Sequence, residues 1–192
     1  MRALILVLPL CAILSGCSMF ITETAALSSL QKEEALRLMH TAPNLKIEGT
    51  FSSKPSFQHV PDGSASLRRD SMEDFFFGAD VSPSDSDAMM IRRTEDGSLA
   101  FILTRRGALF LSFRAAPSTN SLRFDGDGAY FTFDRVVMAE GSEEKSWTDM
   151  AIHSGHDGRL EVEVTFRNRH TALAIPYDHS AAKWAFSLER IQ

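Results

Sequence analysis

The sequence predicts a mainly β protein: an antiparallel meander of about eight to ten strands with one N-terminal helix. Three observations carry this. From Met89 onward, apolar residues recur at every second position in short segments. Turn-forming residues separate those segments at intervals of about eight to twelve residues. The clearest segment places Leu160, Val162, Val164 and Phe166 opposite Glu161, Glu163, Thr165 and Arg167, so one of its faces is wet. A sheet of this many strands tends to curl or to split into two layers. The options are a curled sheet, a barrel or half-barrel, and a sandwich, and the local connections favour the curled sheet or barrel.

The elements follow in order. Over residues 23–40, Ala26, Leu27, Leu30, Leu36, Leu38 and Met39 recur at three- and four-residue spacing, with Pro43 just beyond, which predicts a helix. Its polar residues are of mixed sign, so its apolar stripe is expected to pack on the sheet rather than lie on lipid. Leu45, Ile47, Gly49 and Phe51 then alternate as a first strand. Residues 52–88 are rich in turn formers and read as an irregular excursion with one or two short edge strands. Strands are expected at Met89–Ile91, Leu99–Leu103, Leu109–Phe113, Leu122–Phe124, Phe131–Val137 and Trp147–Ile152. The segments 160–166, 173–177 and 184–188 complete the set. Asp125-Gly126-Asp127-Gly128 marks a hairpin, its glycines supplying positive φ.

The first twenty residues carry an address. Met1-Arg2 is a short basic start, and an apolar run of about a dozen residues reaches Leu14, too short for the roughly 20 that a spanning helix needs. Leu14-Ser15-Gly16-Cys17 follows. This resembles the lipobox of bacterial lipoproteins. The resemblance implies cleavage before Cys17, a diacylglycerol thioether on its sulfur and usually an acylated amino terminus, palmitate being a typical chain. Residues 1–16 are then signal, 17–22 a lipidated tether and 23–192 a single domain. Among Gram-negative lipoproteins the residue after the lipidated cysteine guides sorting, and Ser18 is similar to those sent to the outer membrane, on its periplasmic face. Each buried methylene contributes about 0.8 kcal/mol, so two or three chains anchor durably without a transmembrane helix.

Composition narrows the chemistry. Hydrophobic content of 44% and charged content of 23% are those of a globular protein with a packed core. Losing Arg2 with the signal leaves Lys+Arg 19 against Asp+Glu 25, a net charge of −6, which offers no footprint for nucleic acid. Of the two cysteines, Cys11 leaves with the signal and Cys17 takes the lipid, so neither a disulfide nor thiolate chemistry is expected.

Candidate chemical sites all have plainer explanations. His153, His156 and Asp157 sit in a glycine-rich turn without the spacing of a metal-binding helix. Asp125, Asp127 and Gly128 open like a calcium loop, but Ala129 stands where a further oxygen ligand belongs. No G-x-S-x-G elbow or phosphate loop occurs, Glu143-Glu144 reads as a polar loop, and Glu161/Glu163 as a wet strand face. His40, His59, His170 and His179 are scattered. No catalytic residue, metal site or cofactor is therefore expected. Phe75-Phe76-Phe77 is the exception: neighbours on a strand point to opposite faces, so the run is either a strand buried on both sides or an apolar lid or contact.

Two functions remain in view. One is a non-enzymatic binding module for a hydrophobic ligand or lipid, its helix or residues 70–88 serving as lid. Lipobox, helix and curled antiparallel sheet together are similar in layout to the outer-membrane receptor of the lipoprotein-sorting pathway. No residue motif carries that likeness, so no functional residue transfers. The Gly-x-Trp signature of lipocalins is missing near Gly49. The other is an accessory lipoprotein of a secretion, pilus or conjugation apparatus, acting through protein contacts. Replacing Cys17 by Ala is expected to abolish incorporation of labelled palmitate and to leave an uncleaved precursor on a gel; retained label would refute the lipobox.

Overall fold

Ten strands and three helices make up the computed structural model, which describes residues 29–59, 72–77, 86–139, 142–172 and 175–191. Alternation and tight turns build most of it. β3 (Ala88–Arg93), β4 (Leu99–Arg105) and β5 (Ala108–Ala115) form a meander, and β1 (Gly49–Ser52) pairs with β3 to give a four-stranded antiparallel sheet. Arg106 and Gly107 join β4 to β5, both at positive φ, the geometry a two-residue hairpin needs to match strand twist. The second meander runs through β6 (Arg123–Asp125), β7 (Gly128–Ala139), β8 (Ser142–Ser154), β9 (Leu160–Ala172) and β10 (Ile175–Leu188). With β2 (Phe57–His59) on the far edge of β10, it forms a six-stranded antiparallel sheet.

The two sheets face one another across a single apolar core. Phe51, Met89, Ile91, Phe101 and Leu103 come from one side, and Phe131, Ile152, Val162, Trp184 and Phe186 from the other. Among the described residues they are stitched along one side. Ser52 N–H donates to Glu189 O (2.8 Å), Ile191 N–H to Thr50 O (2.7 Å) and Ser56 N–H to Ser187 O (2.9 Å), so the chain passes from β1 to β2 along β10. Arg190 holds this join, donating to the carbonyls of Lys46 (2.7 Å), Glu48 (2.9 Å) and Gly158 (3.0 Å) while its guanidinium lies over Phe51. Gly49 leaves room for this guanidinium: a Cβ there would stand 2.2 Å from the Arg190 Nη1 and displace it. On the opposite side, among the described residues, no ladder links β5 to β6; the one-turn helix α3 (Pro117–Asn120) and its flanks connect them, and the sheets do not close into a barrel. The architecture is the open, curled form of the expected meander.

α1 (Ser29–Met39) packs against the outer face of the four-stranded sheet. Ala35 and Leu38 are buried on Ala100 and Ile102 of β4, with Met39, Met90 and Leu109 around them, while Leu36 stays 51% exposed. The helix therefore covers a sheet from outside and plugs nothing. Arg92, buried on the same face, donates to Thr41 O (3.0 Å) just past the helix end.

Several sequence expectations change. The first strand begins only at Gly49: Leu45–Glu48 is a turn, closed by Glu48 N–H to Leu45 O (2.9 Å) and by Leu45 N–H to the Glu48 carboxylate (3.1 Å). Pro117–Asn120 is a helical turn rather than a simple reversal. The segments expected at 173–177 and 184–188 are one long strand, β10, whose register shifts at Pro176/Asp178, the site of a proline that cannot donate to the ladder. Glu143 and Glu144 lie on β8, not in a loop. Residues 23–28 of the expected helix and the lipobox lie outside the described residues.

A charged turn ties α1 to the sheet. The Asp96 carboxylate accepts the Thr94 hydroxyl, the Ser98 amide (3.2 Å), the Ser98 hydroxyl (3.1 Å) and the Arg114 guanidinium, which also reaches Glu34 of α1 (3.2 Å). The Thr94 hydroxyl first, then the Ser98 amide, hold its pKa well below the usual carboxylate range. Its stabilising effect is complete above the unfolded value of about 3.9 and fades as pH falls through that value toward the folded one. Asp96→Asn is expected to lower the urea midpoint at pH 7 and to flatten its decline below about pH 4; parallel pH curves for both proteins would contradict this.

Candidate functional site

The site is built where the Phe run enters the core. Met72–Phe77 forms α2, a six-residue helix, and not a strand. Successive residues on a helix point about 100° apart rather than 180°. Phe75 and Phe76 can therefore reach two different walls of one interior, and both are buried. Phe75 stacks on Phe186 (5.5 Å) and meets Trp184 edge-on (5.4 Å), both on β10. Phe76 stacks on Phe113 of β5 (4.4 Å), tilts against Phe101 of β4 (4.9 Å) and reaches Phe133 of β7 (5.8 Å). Each such pair adds about 0.5–1.5 kcal/mol beyond simple burial. The side chain of Phe77 lies outside the described residues.

Phe76 thus bridges the sheets next to their unstitched side. Phe113 and Phe133 meet there at 5.1 Å, and Phe101 and Phe131 at 5.3 Å. The aromatic layer has one polar flaw. Trp184, 2% exposed, has an indole Nε1–H with no hydrogen-bond acceptor. A buried donor left without a partner costs about 1–3 kcal/mol.

Beyond this layer the concave face of the six-stranded sheet turns polar. Strand parity places Phe131, Phe133 and Arg135 of β7 on the same face as Met150, Thr148, Ser146 and Glu144 of β8. The register sets Ser146 opposite Asn168, and Glu144 opposite His170. The Asn168 amide donates to Glu144 Oε1 (3.5 Å) and contacts His170 Nε2 (3.2 Å). β7 to β10 are 12–14 residues long, against 4–8 for the strands of the smaller sheet, so they overhang it.

No family model, curated protein or solved structure matches this chain. What the site does is therefore read from its own geometry.

The other candidate residues stay apart. Cys17 and Ser18 lie outside the described residues. His153 is edge-on to Tyr130 on the outer face (5.2 Å), while His156 and Asp157 are exposed, Asp157 paired with Arg159 (2.8 Å). Asp125 and Asp127 flank a hairpin, Gly126 at positive φ, and Asp127 binds Lys46 (2.5 Å). Among the described residues no three His, Cys, Asp or Glu are grouped as a metal site, and no helix is long and apolar enough to cross a membrane. Sequence reading did not place Arg135, Glu144, Asn168, His170 and Trp184 on one sheet face. The available signal was the 142–154 segment, whose even positions carry the parity of buried Met150 and Ile152 out to Glu144.

An outer groove of about 400 Å³ runs along Arg123, Tyr130, Thr132, Asp149 and Glu163. Its aromatic surface is taken, since Arg123 covers Tyr130 at 5.3 Å and His153 abuts it. Phe76→Ala is expected to destabilise by about 3–5 kcal/mol, as a large core truncation does. Trp184→Phe, which removes the orphan donor, is expected to cost less than about 1 kcal/mol. Urea unfolding of both variants checks this, and the reverse order would displace Phe76 from its bridging role.

Proposed function

We propose that this chain is a lipid-anchored envelope protein that binds a hydrophobic ligand within its curled sheet and does no covalent chemistry. The observation that supports this best is the aromatic plug. α2 is only six residues long, yet it fills the gap between two sheets that share a core but no ladder on that side. An apolar chain entering by the β5–β6 side would meet the same rings that now hold Phe75 and Phe76, so ligand and plug compete for one surface. Ligand sites of this kind are largely apolar, with a few polar groups that set orientation. The orphan Trp184 donor and the polar end of the sheet are such groups. In this reading Cys17 carries the acyl anchor, and Ser18 directs the protein to the periplasmic face of the outer membrane.

A second reading, an accessory subunit of an envelope assembly, is favoured by the sheet edges. β5 pairs only with β4, and beyond Tyr130 β7 has only β8 as a neighbour among the described residues. Val136 on that edge is 50% exposed. Such edges accept an added strand.

Protein purified from its own host and extracted with organic solvent is expected to release a stoichiometric apolar molecule, seen by mass spectrometry. The covalent chains on Cys17 remain with the protein. Phe75→Ser should alter the amount recovered. A ligand-free protein in both cases would favour the assembly subunit.

A further inference from the structure

We infer that the ligand is a lipid with a zwitterionic headgroup, bound chain-first into the aromatic layer with its head at Arg135 and Glu144; this rests on the hydrophobic-ligand reading above. Two levels of the concave face carry the inference. Deepest are the rings of Phe133, Phe166 and Trp184, which contact the Phe75–Phe76 plug or one another. They suit an acyl chain. Trp184 also offers a buried indole N–H without an acceptor. It lies on β10, three strands from β7, so it faces the chain rather than the head and reports on the chain's entry.

The second level lies farther along the strands: Arg135 is two residues beyond Phe133, about 7 Å, and Glu144 four beyond Thr148, about 13 Å, at roughly 3.3 Å per residue. There, among the described side chains, the cation Arg135 and the anion Glu144 share the concave face beside His170 and do not pair with each other. The guanidinium of Arg135, a half-buried residue, forms no hydrogen bond or ion pair with any described residue. Glu144 lies diagonally across the β7–β8 ladder from it, as the pairs Arg135↔Ser146 and Val137↔Glu144 require. Its carboxylate accepts only the long contact from Asn168 (3.5 Å). Charges at diagonal positions on one sheet face are near enough to pair when nothing is meant to stand between them. Kept apart, they match a head with both signs: an anionic phosphate against the guanidinium and an ammonium against the carboxylate. A singly charged anionic head would meet Glu144 as a repulsion. A zwitterion satisfies both groups.

The test uses the mature lipidated protein in phosphatidylglycerol vesicles. Trp147 is replaced by Phe, so that Trp184 is the remaining tryptophan of the two in the chain. Phosphatidylethanolamine with brominated acyl chains is added, and quenching of Trp184 emission is compared with that from brominated phosphatidylglycerol at equal mole fraction. The ethanolamine lipid is expected to quench at about tenfold lower mole fraction, a preference of one factor of ten in affinity. Glu144→Gln should erase that preference. Arg135→Met should do so too, while Arg135→Lys, which keeps the charge and guards against a mere folding defect, should retain much of it. Equal quenching by both lipids, unchanged in Glu144→Gln, would overturn the headgroup assignment and leave the hydrophobic-ligand reading standing. No quenching by any brominated lipid would overturn both. Relief of quenching by free phosphoethanolamine alone would make the small polar molecule, not the lipid, the ligand of this end.

Discussion

Phe76 touches Phe113 and Phe101 of one sheet and Phe133 of the other, and the shape of the molecule on its unstitched side depends on that contact. On the opposite side, backbone hydrogen bonds and the Arg190 guanidinium tie β1 to the end of β10. Hydrogen bonds are directional and fix a join in one geometry. Apolar contacts are not directional, and their strength follows the area removed from water. One side of the curl is therefore a seam and the other is a set of rings that can exchange neighbours. A short helix is suited to the second role, because six residues contribute little helical stability of their own and hold their shape through packing.

The interior is graded along the strands rather than uniformly apolar. Near the β4–β5 hairpin sheet the six-stranded face is lined by Ile152, Val162 and Phe186, all buried. Past the level of Phe133, Thr148 and Phe166 it leads to Arg135, Asn168 and Glu144. The gradient follows coverage. Where the smaller sheet lies over the strands, water is excluded and apolar side chains are favoured; where the longer strands run past it, polar groups keep partners or water.

Much of the fold was legible because alternation is a local property. The 160–166 strand and the Asp125–Gly128 hairpin lie where the residues place them, since a period of two and a positive-φ glycine act within a few positions. The strand predicted over Leu45–Ile47 was lost to a turn closed by the Glu48 carboxylate, a competition between side chain and ladder that periodicity does not register. Two predicted strands proved to be one, because a register shift at Pro176/Asp178 absorbs the proline that looked like a break. Phe75–Phe77 misled for a different reason. A run of three aromatics satisfies a two-faced strand or a helix between two walls equally well, and only the walls decide.

By itself the sequence determined the strand class, the hairpins, the mixed-sign helix and the absence of any spacing that would mark a covalent or metal chemistry. Each of these is set by residues within a turn or two of one another. The tertiary structure alone decided that the curl stays open at β5–β6, that α1 covers the outside while α2 fills the inside, and that Arg135, Glu144, Asn168 and Trp184 share one face. Those outcomes depend on the register between strands tens of residues apart. Register is chosen by the whole buried face at once, since a slip of one residue would turn every side chain to the other side.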